Sequence, residues 1–211
     1  MPRFRSPFIC AILLLASCVR PAPSLNTELG ELLEALPGVY VGMAPKALSS
    51  DGTMQKLVHT FAAIDAPQFG EKALYYQVSA ENAAGPVLQA KIFVFDVQSG
   101  RQSNIMRAFI LDTAQAGNGL HADAARLAAL NPSELMSFPE DCFFSWSRVS
   151  EGFVGAGSAT CTYPSRAFKQ RIRPEMTYRI LGDRFEWEEA LYGEDGSAVV
   201  TTNGTLTAFR K

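Results

Sequence analysis

An all-β barrel with a small helical component is the fold this sequence predicts. Three observations lead there. Turn signals recur at short intervals and cut the chain into short apolar or alternating stretches. Helical spacing appears in only two places. The composition, 47% hydrophobic and 19% charged over 211 residues, is that of a folded globular chain and excludes disorder, collagen and coiled coil.

The elements follow in order. Leu25, Leu29, Leu32, Leu33 and Leu36 recur at helical spacing until Pro37-Gly38 stops them, which predicts one amphipathic helix at the start of the domain. Strand patterns then cover Val39–Met43, Leu57–Ile64, Ala73–Ala80, Leu88–Val97 and Ile105–Asp112. The alanine-rich stretch Ala122–Leu130 predicts a helical insertion, and Asn131-Pro132-Ser133-Glu134 a second short turn. Further strands are expected at Cys142–Val149, Gly152–Thr162, Ala167–Arg173, Thr177–Leu181, Arg184–Leu191 and, in one or two pieces, Ala198–Phe209. Asp51-Gly52, Gly85-Pro86, Ser99-Gly100, Glu151-Gly152, Gly182-Asp183 and Asp195-Gly196 supply the turns. Many short strands at this spacing mean a barrel or sandwich.

The strands Leu88–Val97 and Ile105–Asp112 are apolar on both faces. Such strands are buried on both sides, or face packing on one side and a ligand cavity on the other. Arg107 on an apolar face is either a cation inside that cavity or a side chain reaching to water, the second being favoured.

The N-terminus reads as an address. Arg3 and Arg5 precede an apolar run from Phe8 to Ala16, too short to span a bilayer and followed by small residues. Leu15-Ala16-Ser17-Cys18 resembles the bacterial lipobox, in which the cysteine carries lipid. That divides the chain into a signal peptide at 1–17, a lipidated tether at 18–24 and one domain at 25–211. Val19 after Cys18 favours the outer membrane by lipoprotein sorting rules, so an envelope lipoprotein facing the periplasm is expected. Its partner is the membrane, through the lipid.

Cys142 and Cys161 are the two cysteines left in the domain, in an oxidising compartment, so a disulfide is expected. A tight turn at Glu151-Gly152 would set them directly opposite one another, although Gly155-Ala156-Gly157 is placed to form a bulge.

Several motifs are weighed and set aside. Gly117-Asn118-Gly119-Leu120-His121-Ala122 fits a dinucleotide fingerprint, but hairpins surround it in place of a parallel βαβ unit. Glu186 and Glu188 share a face opposite Trp187, which reads as a solvated face over a buried tryptophan. His59 and His121 are isolated and receive no role. Asn203-Gly204-Thr205 fits a glycosylation sequon that a bacterial lipoprotein would not use. The net charge of −2 excludes a broad nucleic-acid surface. No metal site is expected.

With helix, strand order and cysteine pair in place, the chain resembles the CpcT/CpeT family of phycobiliprotein chromophore lyases. The resemblance spans about Leu29 to Arg210. It rests on Leu32 to Tyr40, Leu74-Tyr75-Tyr76-Gln77, Pro86-Val87-Leu88-Gln89-Ala90, Asn131 to Leu135 followed by Cys142, Gly155 and Cys161, and the closing Asn203 to Arg210. It implies a calycin, or lipocalin-like, antiparallel barrel holding an open-chain tetrapyrrole (a bilin) and passing it to a cysteine of an acceptor protein. Leu88 and Ala90 stand where that family has arginines, so ligand binding is the expectation, and an active bilin lyase stays open as an alternative that the resemblance implies. Gln77, Gln89, Lys91 and Arg107 are the expected ligand-binding residues, with Gln89 and Lys91 on one strand face beside Phe93 and Phe95. No cofactor beyond such a bilin, or another small apolar ligand, is implied. The alternative is a structural envelope lipoprotein whose barrel is filled by its own side chains.

Overall fold

The computed structural model describes residues 24–45, 53–98, 103–117, 119–165, 168–202 and 204–211. The expected signal, tether residues 18–23 with Cys18, and Asn118 and Asn203 of the two motifs lie outside them. The described chain is the expected all-β barrel. Its strands are β1 (Gly38–Pro45), β2 (Met54–Ile64), β3 (Ala73–Ala80), β4 (Val87–Gln98), β5 (Ser103–Leu111), β6 (Met136–Ser137) and β7 (Phe144–Val149). They continue as β8 (Gly152–Gly157), β9 (Tyr163–Ser165), β10 (Gln170–Leu181), β11 (Arg184–Tyr192), β12 (Ala198–Thr201) and β13 (Leu206–Arg210).

Ten of them close a ring in the order β1-β2-β3-β4-β5-β7-β8-β10-β11-β13, and β13 pairs with β1 again. All pairings are antiparallel, and apart from the closing β13–β1 pair each joins consecutive strands of the ring, which is the up-and-down arrangement. The short strands β6, β9 and β12 extend β5, β10 and β11 at one end.

Helix α1 (Leu25–Ala35) is capped by Ser24, whose hydroxyl accepts from the Thr27 N–H at 3.3 Å. Its leucine stripe turns into the barrel: Leu29, Leu32 and Leu36 join Tyr40, Phe61, Phe95 and Phe153 in one core. Burying each leucine contributes about 2 kcal/mol. Arg210 fastens the helix from the far end of the chain. Its guanidinium donates to the Ala35 carbonyl at 2.6 Å and the Pro37 carbonyl at 2.9 Å, and lies 5.0 Å over the Tyr40 ring. α1 therefore plugs the end of the barrel at which β1 begins and β13 ends.

The two-faced apolar strands are buried on both sides. Inward, Phe93, Phe95 and Met106 join the barrel core. Outward, Tyr75, Ala90, Ile92 and Leu111 pack under the insertion between β5 and β6. That insertion contains α2 (Thr113–Ala116), α3 (Ala124–Ala128) and two single helical turns, and lowers Leu120 and Leu127 onto the sheet. The stretch matching a dinucleotide fingerprint, set aside from the sequence, belongs to it, flanked by antiparallel strands that give it no βαβ setting.

The expected pair of strands, Ala167–Arg173 and Thr177–Leu181, is corrected: Gln170–Leu181 is one strand running through Pro174. Pro174 sits where one edge of β10 passes from β9 to β8, so on that side its missing N–H has no partner strand to miss.

The disulfide is present, with Cys142 and Cys161 Cα atoms 4.4 Å apart, but the register behind it differs from the expectation. The hairpin turns at Ser150-Glu151, pairing Val149 with Gly152 and Phe144 with Gly157, two residues out from the expected match. β8 ends at Gly157 and not at Thr162, and a turn in which Cys161 N–H donates to Ser158 O brings the cysteine back. The expected bulge at Gly155 does not form; the ladder runs through it. Gly155 is needed for another reason: a Cβ there would stand 2.6 Å from the Trp146 indole. Gly155→Val is expected to cost about 1–3 kcal/mol by overpacking, read as a lower urea midpoint with an unchanged slope.

Candidate functional site

With α1 in one end of the barrel, the interior opens only toward the other. β11 sends Phe185, Trp187 and Glu189 inward and Glu186 and Glu188 outward, by strand alternation. β2 contributes His59, β3 Tyr76, β4 Gln89 and Lys91, and β10 Tyr178. Around the mouth, His59, Tyr76, Gln89, Tyr178, Trp187 and Glu189 line a cavity of about 520 Å³. A second, much smaller cavity of about 30 Å³ is walled by Lys91, Phe93, Met106, Tyr178 and the disulfide. Tyr178 belongs to both.

His59 is 2% exposed and sits among rings. Its centroid is 4.4 Å from Trp187 and 5.2 Å from Phe185. Nδ1 is 3.0 Å from the Tyr76 hydroxyl, and Nε2 is buried with no hydrogen-bond partner. Burial holds the imidazole pKa down to about 3, so the ring is neutral. Burial likewise raises the phenols of Tyr76 and Tyr178, with the Glu189 carboxylate adding to both. These phenols stay protonated and can donate.

The histidine makes stability depend on pH. Its pKa falls from an ordinary 6.5 unfolded to about 3 folded. Between those values the unfolded chain binds a proton that the folded chain refuses. Stability is full above pH 6.5 and falls as pH drops, by about 1.4 kcal/mol per pH unit from this residue. His59→Gln keeps a polar group beside Tyr76 and removes the titration. Urea unfolding across pH 4–7 is expected to show a shallower slope for this variant than for the parent.

The four residues expected at the ligand site separate. Gln89 is exposed at the mouth and Lys91 is buried inside, on one face with Phe93, as the alternation of β4 requires. Gln77 stands on the opposite face of its strand from Tyr76. It is 2% exposed under the insertion, accepting from the Tyr75 hydroxyl at 2.7 Å and donating to Ser79 at 2.6 Å. It is a structural link there, outside the barrel. Arg107 is also on the outer surface, exposed above Phe69 and Phe109, so the reading in which it reaches to water is the correct one. The reason is parity: Met106 and Ala108 take the inward positions of β5. His59, Tyr76, Tyr178, Trp187 and Glu189 were not among the expected site residues. The inward alternation of Phe185, Trp187 and Glu189 could have found the last two. His121 stacks on Tyr75 at 5.5 Å beneath the insertion, away from the mouth.

No family model matches the sequence, and no curated protein matches it. The fold has a solved counterpart. The chain is similar to the selenomethionine form of the CRL protein of Arabidopsis, with a TM-score of 0.61, covering 90% of this chain and 100% of that one. The two are 10% identical, a likeness of fold alone.

Among the described residues no three His, Cys, Asp or Glu side chains gather as metal ligands. No described helix is long and apolar enough to cross a membrane.

Proposed function

We propose that this protein is a carrier whose barrel takes a small, flat, mainly apolar ligand through its open mouth. The observation that carries the reading is the orphaned Nε2 of His59, buried against a cavity walled by Tyr76, Tyr178 and Trp187. A buried polar atom without a partner is costly, and a ligand that hydrogen-bonds it removes the penalty. The cavity volume lies within the range of small-molecule sites, and its mix of aromatic walls with few polar groups is theirs too. The resemblance to bilin lyases supplies the first ligand to try, an open-chain tetrapyrrole. The same reading places the protein in the cell envelope, held by lipid on Cys18. Labelling of the protein by radioactive palmitate, lost in Cys18→Ser, tests the anchor.

Titration of the purified protein with biliverdin tests the cavity. A shifted biliverdin absorbance is expected, together with quenching of tryptophan fluorescence that Trp187→Phe reduces. A spectrum that stays that of free pigment at high protein concentration, with unquenched tryptophan, removes tetrapyrroles as the ligand. The barrel half nearest α1 is filled by Tyr40, Phe61 and Phe185, which favours a purely structural role as the second reading. That role predicts no quenching with any planar apolar probe.

A further inference from the structure

Lys91 is a residue that neither packing nor charge pairing explains. It is 7% exposed, and among the described residues its side chain makes no hydrogen bond and no ion pair. Its cross-strand neighbour is Tyr76, and its cavity is otherwise walled by Phe93, Met106, Phe144 and Tyr178. A lone ammonium in such surroundings is among the least favourable burials a protein can make. The carboxylate of Glu189 faces it across the barrel without reaching ion-pair distance. Burial lowers the pKa of the amine, and Glu189 offsets only part of that. An amine on a buried side chain, unpaired and facing a cavity walled largely by rings, has the properties of a lysine that condenses with carbonyls.

We propose that Lys91 captures an apolar aldehyde as an imine in the small cavity that it walls together with Tyr178. This rests on the carrier reading and names the class of ligand. The aldehyde enters past Gln89, its chain lies against Trp187 and Tyr178, and its carbonyl reaches Nζ. The neutral amine attacks the carbonyl carbon. The nitrogen gives both its hydrogens to the departing oxygen, so one C=N bond forms, the C=O bond breaks and one water leaves. No oxidant or reductant takes part. When the imine is protonated, Glu189 is the facing counter-charge. Gln89 and the neutral His59 add no competing positive charge.

The test uses all-trans-retinal as the probe. The full protein is incubated with it and then reduced with borohydride, which fixes an imine as a stable secondary amine. Intact mass and peptide mapping should show one retinyl adduct, on Lys91, absent from Lys91→Met. A red shift of the retinal band on acidification, before reduction, should accompany it. Labelling spread over the exposed Lys56, Lys169 and Lys211, with Lys91 unmodified, overturns the proposal. So does the absence of any adduct. Tryptophan quenching by retinal in Lys91→Met then separates the two readings. If quenching persists, the carrier stands and only the covalent step falls; if it is missing in both proteins, the carrier reading falls as well.

Discussion

Phe185→Ala should destabilise the protein by about 3–5 kcal/mol, the range for deleting a buried aromatic ring. Phe185 is fully buried in the barrel interior, in the half nearest α1. Its ring meets Tyr40 at 5.9 Å, His59 and Phe61 at 5.2 Å, Trp187 at 5.5 Å and Tyr178 at 5.6 Å, and most of these contacts are edge-to-face or tilted. Such pairs add to simple burial. The neighbours hang from β1, β2, β10 and β11, strands that the closed ring holds apart, so the void cannot collapse. Urea unfolding gives the number, and near-ultraviolet dichroism reports the loss of ring packing. Phe209→Ala, at a side chain 53% exposed on the outer face, is the control and is expected to change stability by less than about 0.5 kcal/mol. Equal effects from the two substitutions would contradict the barrel interior described above.

Opening the disulfide should have an effect of similar size. The loop between Cys142 and Cys161 spans 19 residues in sequence, and closing such a loop is worth about 3 kcal/mol in the chain-entropy account. The paired variant Cys142→Ala with Cys161→Ala should lose about that much relative to the oxidised protein. Both sulfurs are tied up in the bond, so no free thiol at either position should react with a labelling reagent when the unreduced protein is denatured. Labelling at either position would show that the bond is not made. Because the cystine walls the small cavity that Lys91 also lines, the variant should also loosen the end of the β7–β8 hairpin beside it. Hydrogen exchange at Phe144 and Gly157, which are paired in the ladder, would detect it.

Much of the barrel was legible because strand alternation and turn residues are local signals. The leucine stripe of α1, the Gly182-Asp183 turn between β10 and β11, and the doubly apolar β4 can all be read within a few residues. The register of the β7–β8 hairpin could not be read that way. Glu151-Gly152 is a good turn dipeptide, yet the chain turns one residue earlier, where Gly152 already takes an extended position with its α-carbon against the backbone of β10. Tertiary contact decided between two acceptable turns. Pro174 was a false stop for the same kind of reason, since only the neighbouring strands reveal that its N–H is not needed.

The site was half legible. Gln89 and Lys91 follow from the parity of one strand. Arg107 and Gln77 are residues of suitable chemistry whose parity places them outside, and parity relative to the barrel axis is known only once the insertion is seen covering the outer face. His59 and Glu189 lie far apart in the chain, and their approach to Tyr76 and Lys91 depends on the order of strands around the ring. Nothing local to either residue announces it.

The position of α1 gives the barrel a direction. The helix begins at Ser24 on the closed end, where Asn26 lies beside Gly70, Lys72 and Val97, and the mouth with Gln89 and Glu189 is at the opposite pole. An attachment through the N-terminal segment, as in the proposed lipid anchor, would therefore grip the stoppered base. The opening would then be presented outward, like a cup fixed by its foot, and a ligand would arrive from the side away from the attachment.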